Sequence, residues 1–321
     1  MKMHVLMIEL LTKSIYEKTI FPLLRSVALV LFFCFIPNEN FAQRIRIASW
    51  NINTLSEKSG MPLLKNSVVR EDADYDLLRR YAERLNADIV CLQEMGSYAA
   101  IKRVFPEDTW EILYSGNDSD EHTVHTAIVA RKGTVHVLEK SYLSMDTNKL
   151  DSKAGKRRSV EILFAVNGIK IWLLDIHLKS FCFVDSLKDA YTLSCYTLNL
   201  QVNWLKKWIH QKKSSNIPFI IAGDFNRKIN HFGDNDELWG EISKDTILIR
   251  VPNKKRSWCN AHKSIRKREP IDFFVMDQNA YKYLIENSYS EVSYIEEDIK
   301  KRGYRLSDHC PITTDYNFEN L

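Results

Sequence analysis

The side chains in this 321-residue sequence that could do chemistry are oxygen and imidazole groups standing at the ends of short apolar runs. In chain order they are Asn51 in SWN, Glu94 in CLQE, His177 in DIHLKS, Asp224 and Asn226 in GDFN, Asp272 in PIDFF, and Asp308-His309 in SDHCPI. Strands that end in polar groups are how a rigid scaffold presents reactive side chains to a cleft. Glu94 and Asp308, with the Asn51 amide, are hard oxygen donors of the kind that hold Mg²⁺, with Mn²⁺ as the alternative. Two histidines and further carboxylates remain for proton transfer. No Cys/His spacing matches a zinc site, no GxSxG elbow marks a serine hydrolase, and no GxGxxG or Walker A sequence occurs. The inventory points to metal-assisted attack of water on phosphorus.

The elements that must position these groups follow from periodicity. Residues 45–50 (IRIASW) alternate as a strand does, and 74–87 place Leu77, Leu78, Tyr81 and Leu85 on one helical face behind an aspartate cap. DIVCLQ reads as a buried strand, and TAIVA, TVHVLE, VEILFAV and IKIWLLDIHL follow as strands separated by tight turns, one of them Asn167-Gly168. Leu198, Val202, Leu205 and Ile209 recur at helical spacing within 187–212, ahead of the strands PFIIAG, IDFFVMD and PITTDY. Many strands, some joined as hairpins and interleaved with few helices, predict two packed sheets with helices outside. Nothing between residues 44 and 321 reads as a linker, so one domain is expected there.

Six ordered motifs, SWNINTL, DIVCLQEM, DIHLKS, AGDFN, IDFFVMD and SDHCPI, resemble those of the endonuclease/exonuclease/phosphatase superfamily, from about Ile45 to Tyr316. The resemblance implies a four-layered α/β sandwich like that of pancreatic DNase, with two central mixed sheets flanked by helices and the site at their top. It implies that Asn51, Glu94 and Asp308 hold the metal and that Asp224 orients or deprotonates the attacking water, with Asn226 beside it. It also implies that His309, paired with Asp272, meets charge developing on the phosphate, and that His177 acts from the opposite side. Arg158 matches a phosphate-binding arginine of DNase-like members, with Arg157 competing for the role. Abasic-site endonucleases carry an Asp two residues after the Asn of the first motif; Asn53 stands there, which argues against that activity.

The first 43 residues combine Lys13, Lys18 and Arg25 with an apolar run of ten, VALVLFFCFI, and a polar stretch ending near Ala42. That pattern predicts a cleavable signal and a secreted or periplasmic protein. Its removal lowers the formal net charge from +4 to about +3, too small to imply nucleic acid. The local basic stretch at 253–268 is more suggestive, because it leads into the strand bearing Asp272. Cys182 and Cys195 are close enough to bridge, as in some secreted bacterial relatives, and such a bridge contributes about 3 kcal/mol. Cys91 and Cys310 read as unpaired core residues, and Cys259 has no evident partner. The expected function is a secreted Mg²⁺-dependent nuclease, monomeric, with a nucleic-acid substrate and no stable membrane association or protein partner. A lipid or small-molecule phosphodiesterase is the alternative, and an inactive binding module the third reading.

Overall fold

The computed structural model describes residues 44–117, 123–145, 158–254, 256–257, 269–298 and 305–319. The expected signal, Arg157, Cys259 and most of the basic stretch 253–268 lie outside the described residues. The chain begins with strand β1 (Arg44–Leu55), helix α1 (Asp72–Leu85) and strand β2 (Ile89–Met95). Helix α2 (Tyr98–Val104) precedes β3 (Trp110–Tyr114), β4 (His125–Arg131), β5 (His136–Ser144), β6 (Arg158–Val166) and β7 (Ile169–His177). Then come α3 (Leu193–Ser214), β8 (Phe219–Asp224), α4 (Ile229–Phe232), α5 (Glu237–Ser243) and β9 (Leu248–Val251). Strand β10 (Asp272–Asp277), helix α6 (Gln278–Tyr281) and strands β11 (Ser290–Glu291) and β12 (Ile312–Asn317) complete the described elements.

These strands form two six-stranded sheets, ordered β11-β12-β1-β2-β4-β3 and β5-β6-β7-β8-β10-β9. Each is mixed: β1 runs parallel to β2 and β7 parallel to β8, while their other neighbours are antiparallel. The period of two in each strand assigns its side chains to two faces. Ile45, Ile47, Ile89 and Cys91 of the first sheet meet Ile162, Phe164, Leu173 and Phe274 of the second in a core between the sheets. The alternate residues Ala48, Trp50, Val90 and Leu92 face α1 and α2, where Leu78, Tyr81 and Ile101 cover them. Leu174, Ile176, Ile221 and Val275 face α3, covered by Leu198, Val202 and Leu205. Three apolar interfaces define the four layers that the sequence predicts. Helix α1 starts two residues before the predicted position, because Glu71 occupies the cap position and the Asp74 carboxylate accepts its N–H at 2.8 Å.

Continuing the same alternation toward the strand ends puts Ser49, Asn51, Gln93, Asp175, His177 and Asp224 on the inner faces. The layer between the sheets is thus apolar at one end and polar at the other. Because β1/β2 and β7/β8 are parallel pairs, their carboxyl ends finish at that polar end together, with His177 opposite Asp224 in register. The pairing leaves no room at Gly223: its φ is 142°, and a Cβ there would lie 2.1 Å from the Ile176 carbonyl oxygen of β7. Gly223→Ala is expected to destabilise the protein by at least ~1–3 kcal/mol in denaturant unfolding, with activity lost from the surviving folded fraction. Wild-type stability in this variant would contradict the close β7–β8 approach.

Candidate active site

Alternation alone would aim Glu94 at the helical layer, since Gln93 faces inward. The backbone breaks the pattern. Asn53, Thr54 and Glu94 have φ of 48°, 54° and 65°, and the β1–β2 ladder shifts register between Asn51 and Leu55. The Thr54 N–H donates to Glu94 Oε2 at 2.9 Å, and the Asn51 amide donates to Glu94 Oε1 and to Asp224 Oδ2, both at 3.2 Å. Asn51 Oδ1 meanwhile accepts the Asn53 N–H at 2.9 Å.

Arg70, fully buried, holds this irregular segment. Its guanidinium donates to the carbonyls of Ile52, Asn53, Thr54 and Leu306 at 2.6, 2.9, 3.2 and 3.0 Å, and to that of Arg305. Burial lowers its pKa to about 10. It ties the end of β1 to the segment entering Ser307-Asp308-His309. Ser307 adds a second tie, donating to the Asn51 carbonyl at 2.7 Å and accepting the His309 N–H at 3.0 Å.

From the second sheet, Asp224 Oδ1 accepts the Asn226 N–H at 2.8 Å, and the Asn226 amide donates to Asp224 Oδ2 at 3.1 Å and to the Leu178 carbonyl at 3.0 Å. His309 Nδ1 is 2.8 Å from Asp272 Oδ2, and its Nε2 is 3.9 Å from Asp224 Oδ2. His177 Nε2 lies 3.7 Å from both Glu94 Oε1 and Asp224 Oδ2. Glu94, His177, Asp224, Asp272, Asp308 and His309 line one cavity of about 680 Å³, and Asn226 lines it too. Asn51 lies buried beneath it, bonded to two of its carboxylates. Arg158 is the first residue of β6, where its carbonyl accepts from Thr126 Oγ1 at 2.8 Å, and it is not among the residues lining this cavity.

The electrostatics follow from crowding. Burial, with Asp272 and Glu94 adding to it, pushes the Asp224 carboxyl up to about 7 against the opposing pull of His309. Burial opposes charge on His309, but Asp272, Asp224 and Asp308 together outweigh it and hold the imidazole well above its ordinary value. His309, Asp224 and Asp272 lie close enough together to hold a cation, but His309 Nδ1 is engaged by Asp272, and in the metal-free protein the three form an ion-paired cluster. Cys182 and Cys195 likewise offer no thiolate beside Asp185, being joined in a disulfide. The donors left facing the cavity are carboxylate oxygens on Glu94, Asp224 and Asp308, which suits Mg²⁺ or Mn²⁺. For Asn51 to add its oxygen, the amide would turn and give up the Asn53 N–H.

Sequence reasoning missed Arg70, Ser307, Thr54 and Tyr294, whose hydroxyl accepts from Trp50 Nε1 and donates to the His309 carbonyl, each at 2.9 Å. These residues act through backbone groups, which leave no residue-type signal beyond the polar character of Arg70 and Ser307. Cys310 is corrected: it is disulfide-bonded, its partner outside the described residues, whereas Cys91 is free and buried as expected. The predicted Cys182–Cys195 bridge is present.

Residues 48–309 match the model of the Endonuclease/Exonuclease/phosphatase family, and the chain belongs to that family. No curated protein matches the sequence. Among solved structures, a humanised TDP2 of D. rerio aligns with a TM-score of 0.60 at 17% identity, covering 86% of this chain and 99% of that one. An endonuclease/exonuclease/phosphatase from Bacteroides vulgatus aligns at 0.60 and 15%, covering 86% and 99%. The human Nocturnin catalytic domain aligns at 0.55 and 14%, covering 87% and 96%. At these identities the likeness is one of fold.

The raised Asp224 pKa has a consequence for stability. In the metal-free protein the folded state holds a proton, between the ordinary carboxylate range and about pH 7, that the unfolded state has released. The folded state binds more protons there, so this group makes stability fall as pH rises across that window. His309, with its raised pKa, contributes stability below pH ~6.5 that is lost as pH rises through its folded value. Unfolding in EDTA should show stability declining from pH 5 to 8, with a shallower decline for Asp224→Asn. Equal slopes in the two proteins would contradict the assignment.

Proposed function

We propose that this protein is a divalent-metal-dependent phosphodiesterase, exported by its N-terminal segment, that hydrolyses nucleic-acid phosphodiester bonds, DNA first among them. The observation that carries the reading is the convergence of Glu94 from one sheet, His177 and Asp224 from the other, and the Asp272–His309 pair in one cavity. Hydrolases acting on phosphate esters make up the family to which the chain belongs.

Asp224 takes the proton of the attacking water, and its carboxyl near neutral pH is tuned for that exchange. Asn226 and Asn51 hold the carboxylate in place and steer the water. His309, kept protonated by Asp272, meets the negative charge that grows on the phosphoryl oxygens, and His177 serves the leaving group from the far side. Glu94, Asp308 and, once its amide turns, Asn51 would hold Mg²⁺ or Mn²⁺, which supplies Lewis-acid stabilisation of the same charge. Arg158, the first residue of β6, is the further phosphate contact suggested by the resemblance.

Support for a nucleic-acid substrate comes from the rim, where Phe181 and Phe183, ring centroids 6.4 Å apart, line the cavity and offer aromatic faces to a base. A structural neighbour, D. rerio TDP2, has been solved with a single strand DNA product. Lys228, which lines the cavity, is paired with Glu269 at 3.0 Å, and Lys254 is paired with the lining residue Glu291 at 3.2 Å. Neutralisation of substrate phosphates in this reading falls to the metal, His309, Arg158 and the basic residues Lys263, Arg266, Lys267 and Arg268, the last four of which lie outside the described residues. A second reading, a lipid phosphodiesterase, is favoured by one observation: Phe181 at the cavity, and Tyr191 and Leu193 on the adjoining disulfide-closed segment, are 73%, 75% and 52% exposed. Among the described residues no helix is long and apolar enough to cross a membrane.

Incubated with supercoiled DNA, RNA, sphingomyelin vesicles and bis-p-nitrophenyl phosphate, the protein should cleave nucleic acid and the small diester, lose activity in EDTA and recover it with Mg²⁺ or Mn²⁺. Asp224→Asn and His309→Ala should each lower kcat by at least ~10²-fold with little change in KM. Turnover of sphingomyelin alone would move the assignment to the lipid reading, and full activity in EDTA would remove the metal from it.

A further inference from the structure

Gln93 and Asp175 stand directly beneath the reactive groups, yet the mechanism uses neither. Gln93 is the residue before Glu94 on β2. Asp175 lies two residues before His177 on β7, and its register partner on β8 is Ala222, two residues before Asp224. Both side chains are fully buried, and Gln93 Nε2 donates to Asp175 Oδ1 at 2.7 Å across the gap between the sheets. The second amide hydrogen goes to Ser49 Oγ at 3.3 Å.

The other ends of the two groups do not balance. Gln93 Oε1 and Asp175 Oδ2 are both buried without a hydrogen-bond partner, and both are acceptors when the acid is ionised. Two buried acceptors without donors are strongly unfavourable in a protein interior. One proton would answer both deficits: carried on Asp175 Oδ2 and shared with Gln93 Oε1, it would add a second bond to the one between Gln93 Nε2 and Asp175 Oδ1. No ion pair among the described residues supplies Asp175 with a positive charge. Burial drives its carboxyl well above the ordinary range, against weaker opposing pulls from Gln93 and from the backbone of Leu92 and Ala127.

We propose that Asp175 and Gln93 form a neutral acid–amide clasp that sets the spacing between the two halves of the active site. Strand hydrogen bonds fix positions within each sheet, but most of the layer between the sheets is apolar and its contacts have no preferred direction; directed ties across it, such as Asn51 to Asp224, gather at the polar end. The site nevertheless spans the seam, with Glu94 Oε1 of one sheet 3.7 Å from His177 Nε2 of the other. A paired bond one residue below Glu94 and two below His177 adds a directed tie beneath the reactive groups, deeper in the seam than the Asn51–Asp224 bond. Asp175 and Gln93 are positioning residues in this account and touch neither substrate nor metal. The proposal rests on reading the cavity as the site of a metal-dependent phosphodiesterase.

Three variants separate the clasp from plain packing. Asp175→Asn keeps a neutral partner with one donor and one acceptor facing Gln93, so it should retain most of the activity, with an unchanged pH profile and Mg²⁺ requirement. Asp175→Leu and Gln93→Met fill similar space without the paired bonds. Each should raise the Mg²⁺ concentration for half-maximal activity, or the dissociation constant for Mn²⁺ by calorimetry, about 10- to 100-fold. Wild-type metal dependence in both apolar variants would overturn the clasp, as would loss of activity in Asp175→Asn with the apolar variants no worse. Should the apolar variants not fold, infrared difference spectra at pH 7 decide the matter. Wild type minus Asp175→Asn must then show the carbonyl band of a protonated carboxylic acid, and its absence overturns the proposal. The infrared and Mn²⁺-binding results stand even if no phosphodiester is turned over, so failure of the clasp is distinguishable from failure of the proposed function.

Discussion

Four carboxylates, Glu94, Asp224, Asp272 and Asp308, face one partly closed cavity, and the arrangement is governed by how their charges are tolerated. Like charges in a confined space repel, and a buried carboxylate such as Asp224 resists ionisation unless something positive stands beside it. His309 answers part of this by pairing with Asp272 at 2.8 Å and by lying 3.9 Å from Asp224. Asp224 shows what is left over, being held near neutrality rather than fully ionised. A divalent cation beside Glu94 would answer the rest. In the proposed mechanism, the same electrostatic tension that costs the metal-free protein stability favours a metal and a phosphate among these groups and suits Asp224 to proton exchange with water.

The scaffold exists to impose that crowding. Two parallel strand pairs end at one edge of the sandwich, and the inner faces change from apolar to polar as they approach it. Irregular backbone then does what regular strands cannot. The left-handed residues Asn53, Thr54 and Glu94 swing the Glu94 carboxylate into the seam, and the buried Arg70 guanidinium holds that irregularity by accepting the role of donor to five carbonyls. A helical or strand ladder could not satisfy those carbonyls, so a fixed five-donor fork stands in for one.

Much of this was legible from residue order. The alternation of IRIASWN, IVCLQ, IWLLDIH and FIIAGD already separates inner from outer faces, so Asn51, His177 and Asp224 fall on the seam without reference to coordinates. The strands that escaped notice, β3, β9 and β11, all lie at sheet edges, where a strand is covered by one neighbour and carries a weaker pattern. Glu94 was identified by its type and motif, while its orientation depended on a register shift that no periodicity encodes. Arg70 and Ser307 act on main-chain groups far away in sequence, and Cys310 owes its state to a partner that only the folded chain brings near. Local pattern carries the layers; long-range contact carries the ties that fix the site.

The central claim is that a divalent cation sits among the carboxylates at the seam. Anomalous diffraction from crystals soaked in Mn²⁺ addresses it directly. The account predicts a single strong peak within coordination distance of a Glu94 carboxylate oxygen, on the side facing Asp224 and Asp308, with the His309–Asp272 pair intact. A strong peak elsewhere on the molecule, with no density at Glu94 at saturating Mn²⁺, would contradict it.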